Sequence, residues 1–368
     1  MKNIKTFIKT EAVLVISFFV SLITTSFVPP SVEYLSYIDF KVLAILFCLM
    51  IIVAGLKEVG LFNVLAEKMT SGSNNTRGLF LGLVLICFFS SMLITNDVAL
   101  ITFVPFSILV LNITGQTNNM IFIIVLQTIA ANLGSMLTPV GNPQNLYLYS
   151  YYNIGISEFF KITIPVTLVG FLLISLLIIA RKHEQVFVLF NSKEVITNHK
   201  KLYIYLLLFI LSLTTVFRIT DYRLILLIVI VSILILDKNL FKKVDYSLLA
   251  TFVFFFIFTG NIGNIESIKN TLSYLINNNE LLYSMAISQV ISNVPAAVLL
   301  SNFTKNYKAL LIGTNIGGLG TLVASLASLI SYKLYVKTDS SKPGKYIFIF
   351  SIYNVILLLI LLVFSLLI

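Results

Sequence analysis

Charged residues are scarce in this chain, since Asp, Glu, Lys and Arg make up only 11% of its 368 residues. A water-soluble domain of that length needs far more charge to cover its surface. Hydrophobic residues account for 58%, and apolar runs of about 17 residues or more recur along the chain, long enough to cross a bilayer as helices. The runs are continuous rather than alternating, which excludes a membrane β-barrel. The sequence therefore predicts an all-α polytopic membrane protein.

Cysteine and histidine are also scarce, with two residues of each. Cys48 and Cys87 lie inside apolar runs and are interpreted as buried free thiols. His183 and His199 lie in one polar loop, so neither provides the buried base of a serine hydrolase. The chain also lacks a His-Glu metalloprotease motif and the second deep acid of an aspartyl protease. We therefore expect no enzyme activity and no cofactor other than a coupling ion.

Basic residues outnumber acidic ones by 25 to 15, for a net charge of +10. In a membrane protein, Lys and Arg collect in cytoplasmic loops, so no nucleic-acid partner is predicted. The spanning helices are predicted at about 12–28, 39–56, 118–140, 160–180, 202–217, 223–236, 246–262, 307–331 and 346–368. The first of these has no cleavage site and is interpreted as a retained helix.

Two further apolar segments, about 78–112 and 281–304, have a polar interruption near the middle. Each forms either two full helices or a re-entrant hairpin that enters and leaves on one side. With two hairpins and a cytoplasmic N-terminus, 18 of the 25 basic residues fall inside and the other 7 outside. This bias agrees with the positive-inside rule, so the hairpin topology is preferred.

This topology predicts the same order of parts twice, in opposite directions. Helix 39–56 is followed by the amphipathic stretch "LKEVGLFNVLAEKM", and helix 246–262 by "IESIKNTLSYLINN". A hairpin, a spanning segment and a closing helix follow each. Such inverted repeats are typical of secondary transporters with a site at the membrane midplane. The expected single transmembrane domain comprises an N-terminal helix (1–38), repeat one (39–180), a cytoplasmic loop with linking helices (181–245) and repeat two (246–368).

The polar interruptions of the two repeats match each other. Hairpin tips Thr95-Asn96-Asp97 and Ser292-Asn293-Val294 correspond, as do the segments "ANLGSMLTPVGNPQN" and "TNIGGLGTLVASLAS". The aligned pairs in these segments are Asn132 with Asn315, Gly134 with Gly317, Thr138 with Thr321, Asn142 with Ser325, and Asn145 with Ser328.

Proline and glycine predict where the first of these segments breaks. Pro139, Gly141 and Pro143 should end its helix after Thr138. Breaks at membrane depth expose carbonyls that suit Na⁺ and helix N-termini that suit an anion, which together predict an ion site at the midplane. The alternative interpretation is close packing of small residues, with Asn and Thr bonding across helices.

Asp97 is the only one of the fifteen acids that falls within the apolar depth. Its insertion as a charged group at the centre of a helix costs roughly 2.5–3.5 kcal/mol. We therefore expect it to be neutral, paired with a cation or in contact with water. Apolar neighbours disfavour its charged form, which makes Asp97 a proton-carrier candidate. The alternative is a structural cap on the half-helix that begins near Val98.

The segments "TNDVALITFVPF", "ANLGSMLTPVGNPQN" and "SNVPAAVLL" resemble the ion transporter superfamily. The resemblance is closest to the arsenite permease/NhaD/citrate transporter group and more distant to the divalent anion/sodium symporters, and it extends from about residue 39 to the C-terminus. It implies an elevator-type transporter, commonly a homodimer, in which hairpins and broken helices carry substrate past a fixed scaffold. In the symporter relatives, the hairpin tips bind Na⁺ and a substrate carboxylate.

Carried over by position, the resemblance and the aligned breaks define fifteen candidate ion- and substrate-binding residues: Thr95, Asn96, Asp97, Asn132, Gly134, Thr138, Gly141, Asn142, Asn145, Ser292, Asn293, Asn315, Gly317, Thr321 and Ser325. The possible Na⁺ ligands among them are Thr95, Asn96, Asn132, Ser292, Asn293 and Asn315. The symporter tips read Ser-Asn-Thr, and Asp97 and Val294 stand at the third position in place of threonine. Leu322 stands where repeat one has Pro139, so a gentler second break is expected.

The predicted function is secondary active transport of a small inorganic or organic anion, coupled to H⁺ or Na⁺, across the plasma (inner) membrane. Arsenite efflux and Na⁺/H⁺ antiport are the alternatives, and a channel or a membrane-embedded enzyme is more remote. The expected partners are a small ionic substrate, the lipid bilayer and a second copy in a homodimer. The bias towards Asn and Lys indicates a prokaryotic source.

Overall fold

The computed structural model describes residues 11–70, 73–186, 194–266, 270, 274, 276, 279–339 and 341–368. Within these residues the chain is almost entirely helical and forms no β-strand, apart from one isolated bridge between Asn75 and Gln185. Nine helices in this part of the chain are long and apolar enough to cross a membrane. The predicted all-α polytopic membrane fold is therefore confirmed.

The described residues form seventeen α-helices. In the first half of the chain these are α1 (Ala12–Thr25), α2 (Tyr34–Tyr37), α3 (Phe40–Glu58), α4 (Leu61–Thr70), α5 (Thr76–Ile94), α6 (Asn96–Ile113), α7 (Met120–Ser135), α8 (Pro143–Tyr151) and α9 (Ile156–Ile179). In the second half they are α10 (His199–Val216), α11 (Tyr222–Asp237), α12 (Tyr246–Gly263), α13 (Glu280–Ile291), α14 (Asn293–Ser301), α15 (Tyr307–Ile316), α16 (Leu326–Val336) and α17 (Pro343–Leu367). Short 3₁₀ helices precede α7 (Thr117–Asn119) and α12 (Lys238–Lys243).

Side-chain N-caps fix where several of these helices begin. Asn75 Oδ1 accepts a hydrogen bond from the Gly78 amide (2.9 Å) at the start of α5. Asn198 Oδ1 accepts one from the Lys201 amide (3.0 Å) at the start of α10. Such a cap satisfies one of the free N–H groups of the first turn and typically stabilises a helix by about 1 kcal/mol.

Helices α5 and α6 form hairpin one, which enters and leaves the molecule on the same side. At its base, Arg77 Nε donates to the Arg181 carbonyl (2.8 Å), just beyond the end of α9. Gln127 of α7 donates to the Leu83 carbonyl of α5 (2.7 Å) and to Ser107 Oγ of α6 (2.6 Å). Because both hairpin arms meet α7 at one level, they run antiparallel. We refer to the side of this base as the hairpin-one side.

Helices α13 and α14 form hairpin two, whose base lies on the opposite side. Thr304 Oγ1 donates to Glu280 Oε1 (3.3 Å) across this base, and Tyr307 OH donates to Glu158 Oε1 (2.8 Å). Glu158 lies in the first turn of α9 and Arg181 follows its last turn. The 24 residues of α9 span about 36 Å, so the two hairpins enter from opposite sides. The topology is therefore inverted, as expected, while the repeat boundaries stay a prediction.

The two spanning segments that were predicted to contain a break, 118–140 and 307–331, are each divided into two half-helices. Residues 136–142 (break one) separate α7 from α8, and residues 317–325 (break two) separate α15 from α16. Break one begins directly after Ser135, three residues earlier than predicted. The expectation of a gentler second break was wrong, because glycine interrupts the helix there without proline. Gly320 has φ +102°, a conformation that glycine adopts at little cost.

The N-terminal segment differs in length from the prediction of a helix at 12–28. The described helix α1 has 14 residues, fewer than the roughly 20 that cross a bilayer. It packs on α12, where Asn261 Nδ2 donates to Thr24 Oγ1 (3.1 Å). The first amphipathic stretch forms α4 and buries Phe62 and Ala66. Most of the second amphipathic stretch, 265–278, lies outside the described residues.

Candidate functional site

The two hairpin tips have nearly the same backbone conformation. Thr95 has φ 71° and ψ 151°, and Ser292 has φ 75° and ψ 154°. This region is essentially restricted to glycine, so each residue stores about 1–3 kcal/mol of strain. The amides that follow, from Asn96 and Asn293, donate to carbonyls of break one (3.3 Å) and break two (2.9 Å). Each strained tip is thus held against the break of its own repeat.

Threonine ties each break to its hairpin in the same way. Thr138 Oγ1 donates to a carbonyl of α5 and accepts from the Gly141 amide (3.0 Å). Thr321 Oγ1 donates to a carbonyl of α13 (3.0 Å) and accepts from the Ala324 amide (3.2 Å). Both hydroxyls are therefore occupied by backbone groups, and these threonines position the tips.

Glycine allows each hairpin to approach its neighbouring helix closely. A Cβ atom at Gly134 would lie 2.0 Å from the Phe88 carbonyl oxygen and 2.6 Å from Ser91 Oγ. A Cβ atom at Gly317 would lie 2.8 Å from Ser288 Cβ. These contacts are too short for any side chain, so both glycines serve close helix packing, as in small-residue membrane interfaces.

Asn132 joins the two repeats at the centre of the molecule. Its Oδ1 accepts from Asn96 Nδ2 (2.9 Å) at tip one and from Ser325 Oγ (3.1 Å) at break two. Its Nδ2 donates to the Gly318 carbonyl (3.2 Å). Because Asn132 is almost fully buried, this network fixes the relative position of the repeats.

Asn145 and Asn315 provide a second bridge between the repeats. Asn315 Nδ2 donates to Asn145 Oδ1 (2.8 Å). Asn145 Nδ2 in turn donates to the carbonyls of Ser135 (3.1 Å) and Met136 (3.2 Å), where α7 ends, and to the Thr138 carbonyl (3.2 Å) within break one. This asparagine explains why break one begins at Ser135.

A pocket lies where the two tips and the two breaks converge. Its lining residues are Asn96, Asp97, Asn142, Pro143, Gln144, Leu248, Asn293, Val294, Ser325 and Leu326. Asn96 and Asn293 therefore line the same pocket, although 197 positions separate them in the chain. The convergence of opposed interrupted segments that the sequence predicts is present in the structure.

Helix N-termini surround this pocket. Nine of its lining residues lie at the starts of α6, α8, α14 and α16, and Leu248 lies in the first turn of α12. None of the first four helices has a side-chain cap, whereas α3, α5, α10, α11, α12, α13 and α15 each have one. Uncapped N–H groups form the positive end of the helix dipole, so this backbone favours an anion.

Among the described residues, Asp97 is the one charged residue of the lining, and no described lysine or arginine accompanies it. It is half-buried, and no described residue forms a hydrogen bond or ion pair with its carboxylate. Helix α6 begins at Asn96, whose Oδ1 accepts from the Asp97 amide (3.0 Å), so the capping role considered for Asp97 is not observed. A carboxylate this deep without a counter-charge requires a proton or a cation.

Several polar atoms at the pocket have no hydrogen-bond partner among the described residues. Gln144 is 1% exposed, and neither its Nε2 nor its Oε1 is bonded. The Oδ1 atoms of Asn142 and Asn315 are also unpartnered. Each such atom costs about 1–3 kcal/mol, and native proteins contain few of them. The Asn142 and Gln144 atoms belong to the pocket lining, where a ligand is able to bond them, whereas Asn315 lies behind it.

The fifteen predicted site residues divide into three groups by position. Five line the pocket: Asn96, Asp97, Asn142, Asn293 and Ser325. Three amides lie behind the lining: Asn132, Asn145 and Asn315. Seven shape the backbone: Thr95, Gly134, Thr138, Gly141, Ser292, Gly317 and Thr321. Sequence reasoning missed Gln144, although it lies within "TPVGNPQN", and it missed Leu248, which carries no local signal.

The donor set at the tips matches the chemistry of a hard cation. It consists of amide, hydroxyl and main-chain oxygens, which Na⁺ prefers over softer ligands. In the described part of the chain, no three His, Cys, Asp or Glu residues form a group that suits a transition metal. The assignment of Na⁺ to Thr95, Asn96, Asn132, Ser292, Asn293 and Asn315 stays a prediction.

Opposed hairpins, two broken helices and a shared polar pocket at membrane depth define a membrane transporter. The chain belongs to the CitMHS citrate transporter family, whose model matches residues 7–308. This family confirms the resemblance to the arsenite permease/NhaD/citrate transporter group, and its members are transporters rather than enzymes.

Individual relatives agree with this family. The chain is 33% identical over 336 residues to an uncharacterized transporter of Methanocaldococcus jannaschii. This match covers 90% of this chain and 91% of the relative. It is 30% identical over 306 residues to the inner membrane protein YbiR of Escherichia coli. This match covers 81% of this chain and 80% of YbiR. It is 32% identical over 135 residues to the silicon efflux transporter LSI3 of Oryza sativa subsp. japonica. This match covers 36% of this chain and 27% of LSI3.

Proposed function

We propose that this membrane transporter moves a small anion together with a proton, and that Asp97 carries the proton. The observation that supports this most directly is the pocket itself, where four uncapped helix N-termini face one carboxylate without a counter-charge. The positive helix ends provide the attraction for an anion. The protonation state of Asp97 controls whether that anion binds.

Charge repulsion makes the two ligands depend on each other. Two unit charges about 4 Å apart repel by about 4 kcal/mol at an effective dielectric constant of about 20, which is about a thousandfold in affinity. An ionised Asp97 therefore excludes the anion, and a protonated Asp97 accepts it. By linkage, the bound anion favours the proton on Asp97 to the same extent. The pocket then crosses the membrane with both ligands or with neither.

The alternating movement is proposed to be of the elevator type. Tyrosines of α8 bind hairpin two: Tyr147 OH bonds Ser301 Oγ (2.8 Å), and Tyr152 OH donates to the carbonyls of Ser301 (2.9 Å) and Thr304 (2.8 Å). Together with the Asn132 and Asn315 bridges, these bonds join the hairpins and breaks into one body. We propose that this body slides against α3, α10 and α11, in a homodimer whose hairpin-one side faces the cytoplasm of a prokaryotic cell.

The lining suggests a substrate of low charge. A citrate family and a silicon efflux relative point to oxygen-rich solutes. Because the described residues of the pocket lining include no basic side chain, a multiply charged anion has no counter-charge among them. We propose a small oxyacid or organic acid in its singly charged form, with arsenite efflux as a variant of the same mechanism.

Na⁺/H⁺ antiport is a second candidate, because the pocket also suits a cation. Asp97 is the only charged residue in its described lining, and Asn142 Oδ1 and Gln144 Oε1 in the same lining have no partner among the described residues. In that case Na⁺ and H⁺ compete for Asp97, and no anion is needed.

Reconstituted protein distinguishes these functions. Uptake of citrate, succinate, sulfate, arsenite and Na⁺ into proteoliposomes is measured under an imposed pH gradient, an imposed Na⁺ gradient, or neither. We expect accumulation of an anion driven by the pH gradient alone. Exchange of Na⁺ for H⁺ without any anion would establish the second candidate. Downhill flux that ignores both gradients would rule out coupled transport.

A further inference from the structure

The first helix of each repeat begins with an aspartate in the same conformation. Asp39 Oδ1 accepts from the Val42 amide (2.9 Å) at the start of α3, with φ −80° and ψ 86°. Asp245 Oδ1 accepts from the Leu248 amide (2.9 Å) at the start of α12, with φ −79° and ψ 83°. Because the repeats are inverted, the two carboxylates lie on opposite sides of the molecule.

Only one of these two aspartates is next to the pocket. Leu248 lines the pocket together with Asp97, so Asp245 lies one helical turn from the lining. Val42 is fully buried and does not line the pocket. Asp245 is exposed at the start of α12. In this conformation the pocket is therefore adjacent to solvent on the Asp245 side, which is the hairpin-one side.

None of the described charged groups near Asp245 forms an ion pair with it. Lys242 and Lys243 precede it, and Lys243 is paired with Glu58 at the end of α3, next to Lys57. Helices α1, α2 and α14, which also pack on α12, contain no charged residue, and Glu11 is the N-cap residue of α1.

The pocket that Asp97 and Leu248 line has hydrogen-bonding groups without a partner among the described residues. Both polar atoms of the buried Gln144 side chain are unpartnered, and they share the lining with Leu248 and Asp97. An amide with one free donor and one free acceptor can orient water in the pocket, and a proton moves along such a water chain.

We propose that Asp245 is a proton-relay residue that connects Asp97 with the solution on the hairpin-one side, an inference that rests on the proposed proton coupling. Asp245 takes a proton from water on that side and forms a carboxylic acid. This O–H bond breaks as an O–H bond forms on Asp97 through the pocket, and Asp245 returns to a carboxylate. Proton release follows the same steps in reverse, and no other reactant is needed.

Asp39 provides a matched control, because it makes the same N-cap hydrogen bond and has the same side chain, but lies on the opposite side of the molecule. Asp245→Asn and Asp39→Asn each remove one charge and keep a good N-cap residue, so both helices should remain intact. The full-length protein is placed in right-side-out and inside-out membrane vesicles. Dicyclohexylcarbodiimide, which modifies protonated carboxyl groups at membrane depth, is the probe, and labelling of Asp97 is quantified by mass spectrometry as the pH on one face is changed.

We expect labelling of Asp97 in the unmodified protein to follow the pH on the Asp245 face. In Asp245→Asn, labelling of Asp97 should follow the pH on that face less closely, because the proposed relay group is missing. The response to a pH jump should slow by at least about tenfold, because a positioned proton-transfer group typically accelerates transfer by about 10²- to 10⁴-fold. Asp39→Asn should match the unmodified protein.

Equal effects of the two variants, or no effect of either, would overturn the relay. The proposed function is tested separately, by gradient-driven uptake in the unmodified protein and in Asp97→Asn. Uncoupled transport combined with an Asp245-specific labelling change would overturn the function and leave the relay standing. Coupled uptake that depends on Asp97, with identical labelling in both N-cap variants, would support the proposed function and overturn the relay.

Discussion

At the scale of single residues, the pocket combines features that destabilise the protein. Asp97 lies at membrane depth without a partner among the described residues, Gln144 has two unpartnered atoms, and Thr95 and Ser292 have strained backbones. Each feature costs about 1–3 kcal/mol or more. Their concentration around one pocket indicates that binding, rather than stability, accounts for these residues.

Asp97→Asn keeps the shape of the side chain and removes its ability to carry a proton. We expect the variant to insert and fold normally, and to lose accumulation driven by a pH gradient, while exchange of bound anion across the membrane persists. Proteoliposome uptake and counterflow measure the two activities. Asp221→Asn, at the exposed N-cap of α11, is the control and should behave as the unmodified protein. Full pH-driven accumulation in Asp97→Asn would remove this residue from the mechanism.

Thr95→Gly removes the backbone strain at tip one. No described residue is hydrogen-bonded to the Thr95 side chain, so we expect a net gain in unfolding free energy of about 1 kcal/mol, after the entropic cost of glycine. Thermal unfolding in detergent measures it. Thr117→Gly, in a 3₁₀ helix without positive φ, should instead lose stability. Equal losses in both variants would show that the tip is unstrained.

At the scale of secondary-structure elements, the breaks and hairpins depend on one another. Each break leaves backbone groups unpaired at membrane depth, which is tolerated only when protein surrounds them. Hairpin carbonyls, Asn145 and the two threonines Thr138 and Thr321 supply most of the missing partners. A hairpin and its broken helix therefore form one unit, and neither is expected to hold its shape alone.

Gly134→Ala tests this close packing. The added Cβ would meet the Phe88 carbonyl at 2.0 Å, and backbone atoms have no room to move away. We expect a loss of about 1–3 kcal/mol or more in stability, measured by thermal unfolding. Gly155→Ala is the matched control, because nothing lies within 4 Å of a Cβ there. Similar stability of the two variants would mean that hairpin one is loosely packed on α7.

At the scale of the whole molecule, contacts between the repeats decide which parts move together. Half-helix α8 packs on hairpin two, and half-helix α16 packs on hairpin one. Each half-helix beyond a break thus packs on the hairpin of the other repeat. Under the proposed elevator movement, these four elements travel as one body past α10 and α11.

Thiol cross-linking tests this division. Cys48 and Cys87 are buried and should not react. Tyr151→Cys with Asn302→Cys, joined by a short bis-maleimide, links α8 to hairpin two within the proposed body, so transport should persist. Asn153→Cys with Arg218→Cys links α8 to the α10–α11 loop, so transport should stop. Loss of uptake with the first pair only would indicate that hairpin two opens as a gate.

Much of this architecture was predictable from sequence. Hydropathy and charge bias located both hairpins, and Pro139, Gly141 and Pro143 located break one to within three residues. Break two was misjudged because glycines replace proline there. The depth of Asp97 followed from its apolar neighbours alone. These properties depend on local composition, and the membrane constrains local composition strongly because it leaves few ways to satisfy the backbone.

The sequence alone determined the helices, their order and the presence of polar interruptions at membrane depth. Only the tertiary structure decided that Asn96 and Asn293 share one pocket and that four uncapped helix N-termini face Asp97. It also decided that Leu248, one turn after Asp245, lines this pocket, whereas Val42, one turn after Asp39, is buried away from it. The physical reason is that these features arise between residues far apart in the chain. Their positions depend on how whole helices pack, which no local pattern records.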